Sequence, residues 1–299
     1  MSYHELFVSQ QNVFSGFQTP FQHADYVILG VPFDVTSTYR TGARFGPAAI
    51  RQASLNIETY SFRTGLDVED LKLHDLGDLH VYTDTRKTLA TLEKVITDIL
   101  KEGKTPITIG GEHTITLGIM RSVCAKAPKT AIVSLDAHLD LRNEFLGLRV
   151  SHATFMRRIR EETDRAKIIE VGTRAVSKEE LAYAKKAKIV FLTSQQIRKE
   201  GSEKIAVRLE NKLMESYDRY LSVDMDVLDP AFAPGAQNPE PDGIDTSTLL
   251  NILCRICGKR VVGFDVVEVA PQYDSGVSAI QAAKVIFEML CVLEKSRKA

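Results

Sequence analysis

Short apolar runs rich in β-branched residues alternate with longer amphipathic stretches along almost the whole chain. Residues 24–32, apolar apart from Asp25, read as a buried strand. Residues 85–102 instead place Leu89, Leu92, Val95, Ile96 and Leu100 at helical spacing, on one face. The same reading predicts strands over residues 106–110, 131–135, 167–171, 188–192, 220–223 and 260–266. Helices are predicted over 114–124, 153–162, 178–186, 203–216 and 246–258, and a long amphipathic one over 278–295. Uninterrupted apolar strands joined by helices belong to a mostly parallel sheet covered on both faces. Ligands in such sheets sit beyond the carboxyl ends of the strands. The Pro- and Gly-rich stretch 229–243 reads as one structured loop after a strand, and loops of that length in compact domains tend to be functional. No repeat or low-complexity linker divides the chain, so a single α/β domain over residues 1–299 is expected.

Three of the predicted strands run straight into metal-ligand residue types. Gly110-Gly111-Glu112-His113 follows the first, Asp136-Ala137-His138-Leu139-Asp140 the second, and Asp224-Met225-Asp226 the third. A strand repeats every two residues, so Asp136, His138 and Asp140 can face one way, as can Asp224 and Asp226. Taken singly, His113 after a glycine turn is also a plausible cap or core residue, and the Asp224/Asp226 pair a turn cap. Together they supply four carboxylates and two imidazoles, which is more than one cation needs and about what two need. A carboxylate-rich set without thiolates does not suit a closed structural zinc. It suits Mn²⁺ best, ahead of Fe²⁺, Co²⁺ or Zn²⁺.

Bulk properties exclude several other classes. The formal net charge is −1, with no block of like charge, so no nucleic-acid partner is expected. No apolar stretch approaches the roughly 18–20 residues of a membrane span. Residues 1–6 lack the basic and apolar regions of a secretory signal. Cys124, Cys254, Cys257 and Cys291 do not form a disulfide framework. Cys254 and Cys257 are spaced to share one apolar helix face. A cytoplasmic protein is expected.

The motifs resemble those of the ureohydrolase family of arginases and agmatinases. The likeness rests on Gly110-Gly111-Glu112-His113 and Asp224-Met225-Asp226-Val227-Leu228-Asp229-Pro230. It continues at residues 42–47, 231–235 and 264–269 and covers nearly the whole chain. The resemblance implies a three-layer α/β/α sandwich around a mostly parallel sheet of about eight strands. It implies two Mn²⁺ per subunit, one held by His113, Asp136, Asp140 and Asp224, the other by Asp136, His138, Asp224 and Asp226, with Asp136 and Asp224 bridging. The implied reaction is hydrolysis of a guanidino C–N bond with release of urea, by attack of a hydroxide that bridges the metals. Asp140 would hold that hydroxide and pass its proton to the leaving nitrogen. His152, after Ser151, stands where a helix cap is the plainer reading. In the family, the histidine there is a proton shuttle, a role suited to a pKa near neutrality. Glu268, at the end of an apolar strand, would take the guanidinium in a bidentate fork. A homo-oligomer, trimer or hexamer, is implied as well.

The substrate tail is expected to be read by residues 141–150 and 229–243. Arginases usually carry Asp-Ala-His-Thr-Asp followed by an asparagine, whereas this chain has Leu139 and Arg142. The stretch 136–142 with Ser151-His152-Ala153 is most similar to agmatinase-type members. The expected substrate is therefore a small cationic guanidine, agmatine, giving putrescine and urea in polyamine synthesis. Its terminal ammonium would meet Glu144 or Glu240. Formimidoylglutamate is an alternative, with Arg142 and Arg149 on its carboxylates, as is a guanidino acid or aminopropylagmatine. A non-catalytic, metal-binding regulatory member is the alternative from another class, although all six ligands, His152 and Glu268 are present.

Overall fold

A computed structural model describes residues 2–9, 12–163, 166–213 and 217–299. Its strands in chain order are β1 (Val8–Ser9), β2 (Tyr26–Val31), β3 (Tyr60–Ser61), β4 (Leu66–Asp67), β5 (Leu73–Leu79), β6 (Thr105–Gly110), β7 (Thr130–Leu135), β8 (Lys167–Thr173), β9 (Val190–Thr193), β10 (Asp218–Asp224) and β11 (Val261–Val267). β3 and β4 pair only with each other. The rest form one sheet in the order β1-β5-β2-β6-β11-β10-β7-β8-β9. Eight of its strands are parallel, and the two-residue β1 lies antiparallel on β5 at one edge.

The core lies on both faces of this sheet. Along β2, Tyr26 and Ile28 join one apolar cluster, while Val27, Leu29 and Val31 join the other. A strand buried on both sides has no polar face, which is why β2 reads as an unbroken apolar run. Helices Thr85–Lys101, Ile115–Lys126 and Phe155–Glu162 cover one face. Helices Gly46–Ser54, Ser202–Leu213, Thr246–Ile256 and Val277–Lys298 cover the other. The result is the expected three-layer sandwich. Asp84 begins helix Thr85–Lys101 by accepting from the N–H groups of Arg86 and Lys87.

Several elements depart from the sequence reading, β5 and helix Gly46–Ser54 most consequentially. β5 was not expected. Its buried positions are Leu73, Asp75, Gly77 and Leu79, so a polar residue and a glycine on the inner face hide the strand and mimic a loop. In fact Asp75 is buried against Arg51, which is fully buried and bonds Asp75 at 2.8 and 2.9 Å as well as Asp78. His74 Nδ1 donates to the carbonyl of Thr19 at 2.8 Å. Arg51 sits on helix Gly46–Ser54, which begins with Pro47 in its first turn and was read only as a motif. The helix expected over 203–216 runs Ser202–Leu213, and positions 214–216 lie outside the described residues.

Four strands adjacent in the sheet, β6, β11, β10 and β7, are parallel. Their carboxyl ends therefore open at one edge, and each leads directly into one of the chemical motifs.

Candidate active site

The turn after β6 starts the site. A Cβ on Gly111 would lie 1.9 Å from the carbonyl oxygen of Phe33, so only glycine lets this turn pack against the segment after β2. His113 follows, fully buried, with its ring under β10 and β7. Its Nδ1 is 3.1 Å from Asp136 Oδ2, 3.1 Å from Asp224 Oδ2 and 3.8 Å from Asp140 Oδ2. His138 Nδ1 lies 2.9 Å from Asp226 Oδ2 and 3.5 Å from Asp136 Oδ1. Ligand atoms of His113, Asp136 and Asp140 fall within 4.8 Å of one another, and so do those of Asp136, His138 and Asp226. Asp136 belongs to both groups, and Asp224 touches the first through His113. All six expected ligands are thus brought together.

The electrostatics of this cluster is that of crowded acids around two imidazoles. Burial and then the Asp226 and Asp136 charges push Asp224 well above the usual carboxylate range. Burial and Asp136 do the same to Asp140. Burial opposes charge on His113 and His138, yet the carboxylates against their rings hold both well above the usual imidazole range. Such a set calls for compensating positive charge at its centre. Oxygen-rich groups of three and more donors with one imidazole each fit a pair of divalent cations.

The second layer holds His113 in one orientation. Its Nε2 is 2.8 Å from Ser222 Oγ, and Ser222 donates to Asp265 Oδ1 at 2.5 Å. Tyr220 and Thr116 also donate to Asp265, at 2.8 and 2.9 Å. The chain of bonds leaves the Nδ1 lone pair for the centre, as partners behind metal-binding histidines usually do. Ser222 and Asp265 were not singled out from the sequence. The available signal was a polar residue at an inward position of an otherwise apolar strand.

Above the cluster opens a cavity of about 440 Å³. His138, Asp140, Asp224, Asp226 and Glu268 line its floor, and Thr38, Arg142, Phe145, His152, Arg174, Asn238 and Glu240 line its walls. Glu268 is buried; its Oε1 accepts from the His113 N–H at 2.6 Å, while its Oε2 has no partner among the described residues. Its backbone holds a left-handed φ of 69°, and that of Asp140 a φ of 50°. Strain of this kind persists where the surroundings over-determine it, often at functional positions. Burial and Asp224 raise the Glu268 pKa well above normal. Burial and the charge of His138 push His152 down to about 4.

The residues expected to read the tail separate. Arg142 and Glu240 line the cavity. Glu144 is exposed and does not, because its loop turns outward before the bridge between Phe145 and Leu148. Arg149 also stays outside, 3.8 Å from Glu161. Leu139 is buried in the core and touches no part of the cavity wall. Arg174 was missed; among the described residues its guanidinium donates only to backbone carbonyls, including those of Asp226, Leu228 and Glu240. It ties the loop after β10 to β8.

This geometry can be set beside known proteins. The sequence profile of the Arginase family matches residues 24–291. The chain belongs to the arginase family. It is an enzyme of the ureohydrolase class. The agmatinase of Bacillus anthracis is 35% identical over 274 residues, 90% of this chain and 92% of its own length. The guanidinobutyrase of Pseudomonas aeruginosa is 34% identical over 276 residues, 90% of this chain and 86% of its own. The crystal structure of agmatine ureohydrolase of Thermoplasma volcanium superposes with a TM-score of 0.89 at 34% identity, covering 98% of this chain and 97% of that one. Among the described residues, no helix is long and apolar enough to cross a membrane.

Proposed function

We propose that this arginase-family enzyme hydrolyses the guanidino C–N bond of agmatine, releasing urea and putrescine. The observation that carries the reading is Glu268: a buried carboxylate at the cavity floor with one oxygen unpartnered. A buried acceptor without a partner is costly, and a guanidinium satisfies it with two parallel N–H donors. The relatives named agmatinase support the same substrate class.

His113, Asp136, Asp140 and Asp224 would hold one Mn²⁺ and Asp136, His138, Asp224 and Asp226 the other. When bound, the two cations supply an activated water at neutral pH and positive charge where charge develops. Glu268 orients the guanidinium so that its carbon faces the acidic cluster. Asp140 takes the proton of the attacking water at its carboxylate and returns it toward the leaving nitrogen. His152, beside the cavity, takes a proton from solvent at its free ring nitrogen and passes it to the departing amine. Glu240 receives the terminal ammonium, since Glu144 lies outside the cavity. The enzyme is read as a cytoplasmic homo-oligomer that takes part in polyamine synthesis.

The test is product release by Mn²⁺-loaded protein offered agmatine, arginine, guanidinobutyrate, aminopropylagmatine and formimidoylglutamate in parallel. Urea from agmatine above all others supports the proposal. Urea from guanidinobutyrate alone, or formamide alone, transfers the tail-reading role to Arg142 and refutes agmatine as substrate. No product from any, with two metals bound, places the chain among non-catalytic regulatory members.

A further inference from the structure

His152 is backed by a polar chain that the mechanism above leaves unused. Thr36 Oγ1 donates to Glu112 Oε1 at 2.5 Å, and Thr114 Oγ1 donates to the same oxygen at 2.5 Å. Glu112 Oε2 accepts from the Thr36 N–H at 2.6 Å. Thr36, Glu112 and Thr114 are all buried. Thr36 therefore spends its one hydroxyl proton on Glu112 and can only accept on its other side. Two donors of His152 reach it there: the backbone N–H at 3.1 Å and the ring Nδ1 at 3.3 Å. Nδ1 must then carry the ring proton. Nε2, 3.4 Å from Thr38 Oγ1, keeps its lone pair at the cavity wall.

We infer that Thr36, itself held by Glu112, is a positioning residue that fixes the tautomer of His152 with Nε2 free toward the leaving nitrogen. In a histidine, the state of one ring nitrogen is set by the hydrogen bond the other makes. Here the partner is a hydroxyl whose direction is dictated by a buried carboxylate. Both ends of the chain are anchored: Glu112 precedes His113, and the segment of Thr36 packs against Gly111 through Phe33. The device thus couples the orientation of His152 to the same turn that presents His113. It rests on the reading of His152 as the group at the leaving amine.

Its test has a readout that needs no turnover. Diethyl pyrocarbonate acylates an unprotonated ring nitrogen, and modification of His152 is counted by peptide mass spectrometry in Mn²⁺-loaded wild type, Thr36→Val and Thr36→Ser. Valine keeps the shape and removes the acceptor, so the proton moves from Nδ1 to Nε2. Acylation of His152 should slow about 10-fold in T36V and return to within about 3-fold of wild type in T36S. A wild-type rate in T36V overturns the inference, and so does T36S behaving like T36V. The second arm is a double-mutant cycle. T36V should lower kcat about 10- to 100-fold in the wild-type background and add nothing to His152→Asn. Additive losses overturn it, because a merely structural role acts without His152. A wild type that turns over no guanidine refutes the proposed function, while the acylation rates still decide the role of Thr36.

Discussion

At the scale of single residues, the cavity is built on groups whose burial is compensated only in part. Glu268 keeps its bond to the His113 N–H whether or not it is charged, so Glu268→Gln should fold and hold metal. It should still lose roughly 100- to 1,000-fold in kcat/KM, because the guanidinium then lacks its desolvated counter-charge. Steady-state kinetics with metal content measured in parallel checks this; a loss under 10-fold would remove Glu268 from substrate binding. Glu240 acts at the other end of the substrate. Glu240→Gln should raise KM for agmatine about 10-fold and leave kcat within about 2-fold, the mark of binding that is equal in ground and transition states. An unchanged KM would mean that the tail is read elsewhere. Much at this scale was legible in the sequence. Asp136, His138 and Asp140 share one side because strands repeat every two residues. Thr36 and Arg174 were not legible, because their partners lie 116 and 66 positions away in the chain.

At the scale of elements, a polar row crosses the central sheet beneath the acidic cluster. Thr108 on β6, Asp265 on β11, Ser222 on β10, Ser134 on β7 and Glu170 on β8 are paired in register, so they share one face. The inner part of the row supports His113. Its end, Glu170, is buried with Oε1 unpartnered, and burial followed by the Asp136 charge raises its pKa well above normal. An acid whose folded pKa is raised costs nothing while both states are protonated. It destabilises the fold as pH climbs from the unfolded value through the folded one. Glu170→Gln should accordingly raise Tm by roughly 2–4 °C at pH 8 and hardly at all at pH 4. An equal shift at both values would show that packing, not ionisation, is responsible. Apolar patterning located the strands that carry this row to within two residues. It missed β5, whose charges are neutralised by Arg51 on helix Gly46–Ser54, 24 positions before Asp75.

At the scale of the whole molecule, the parallel sheet makes the site possible by opening four adjacent carboxyl ends at one edge. The four carboxylates that meet there repel one another, and a folded state that binds cations is stabilised relative to one that does not. Mn²⁺ at about 100 times its Kd should add roughly 2.7 kcal/mol and raise Tm by about 5 °C. Asp136→Asn, the residue common to both ligand groups, should abolish most of that rise. Calorimetry over a Mn²⁺ titration decides it, and a Tm flat in Mn²⁺ in the wild type would count against a resident metal pair.

Local information in the chain determined the alternation of strand and helix, the composition of the ligand set and the family resemblance, because each depends on periodicity or on motifs within a few residues. The tertiary structure decided which strands lie side by side, and hence that His113, Asp136, Asp224 and Glu268 converge. It also decided which charges face the cavity. Arg142 and Glu240 do, while Glu144 and Arg149, equally plausible by position, turn to solvent or to Glu161. The physical reason is that a loop's direction is set by what its ends pack against. That information is spread over residues distant in the chain and appears only once the sheet has brought them together.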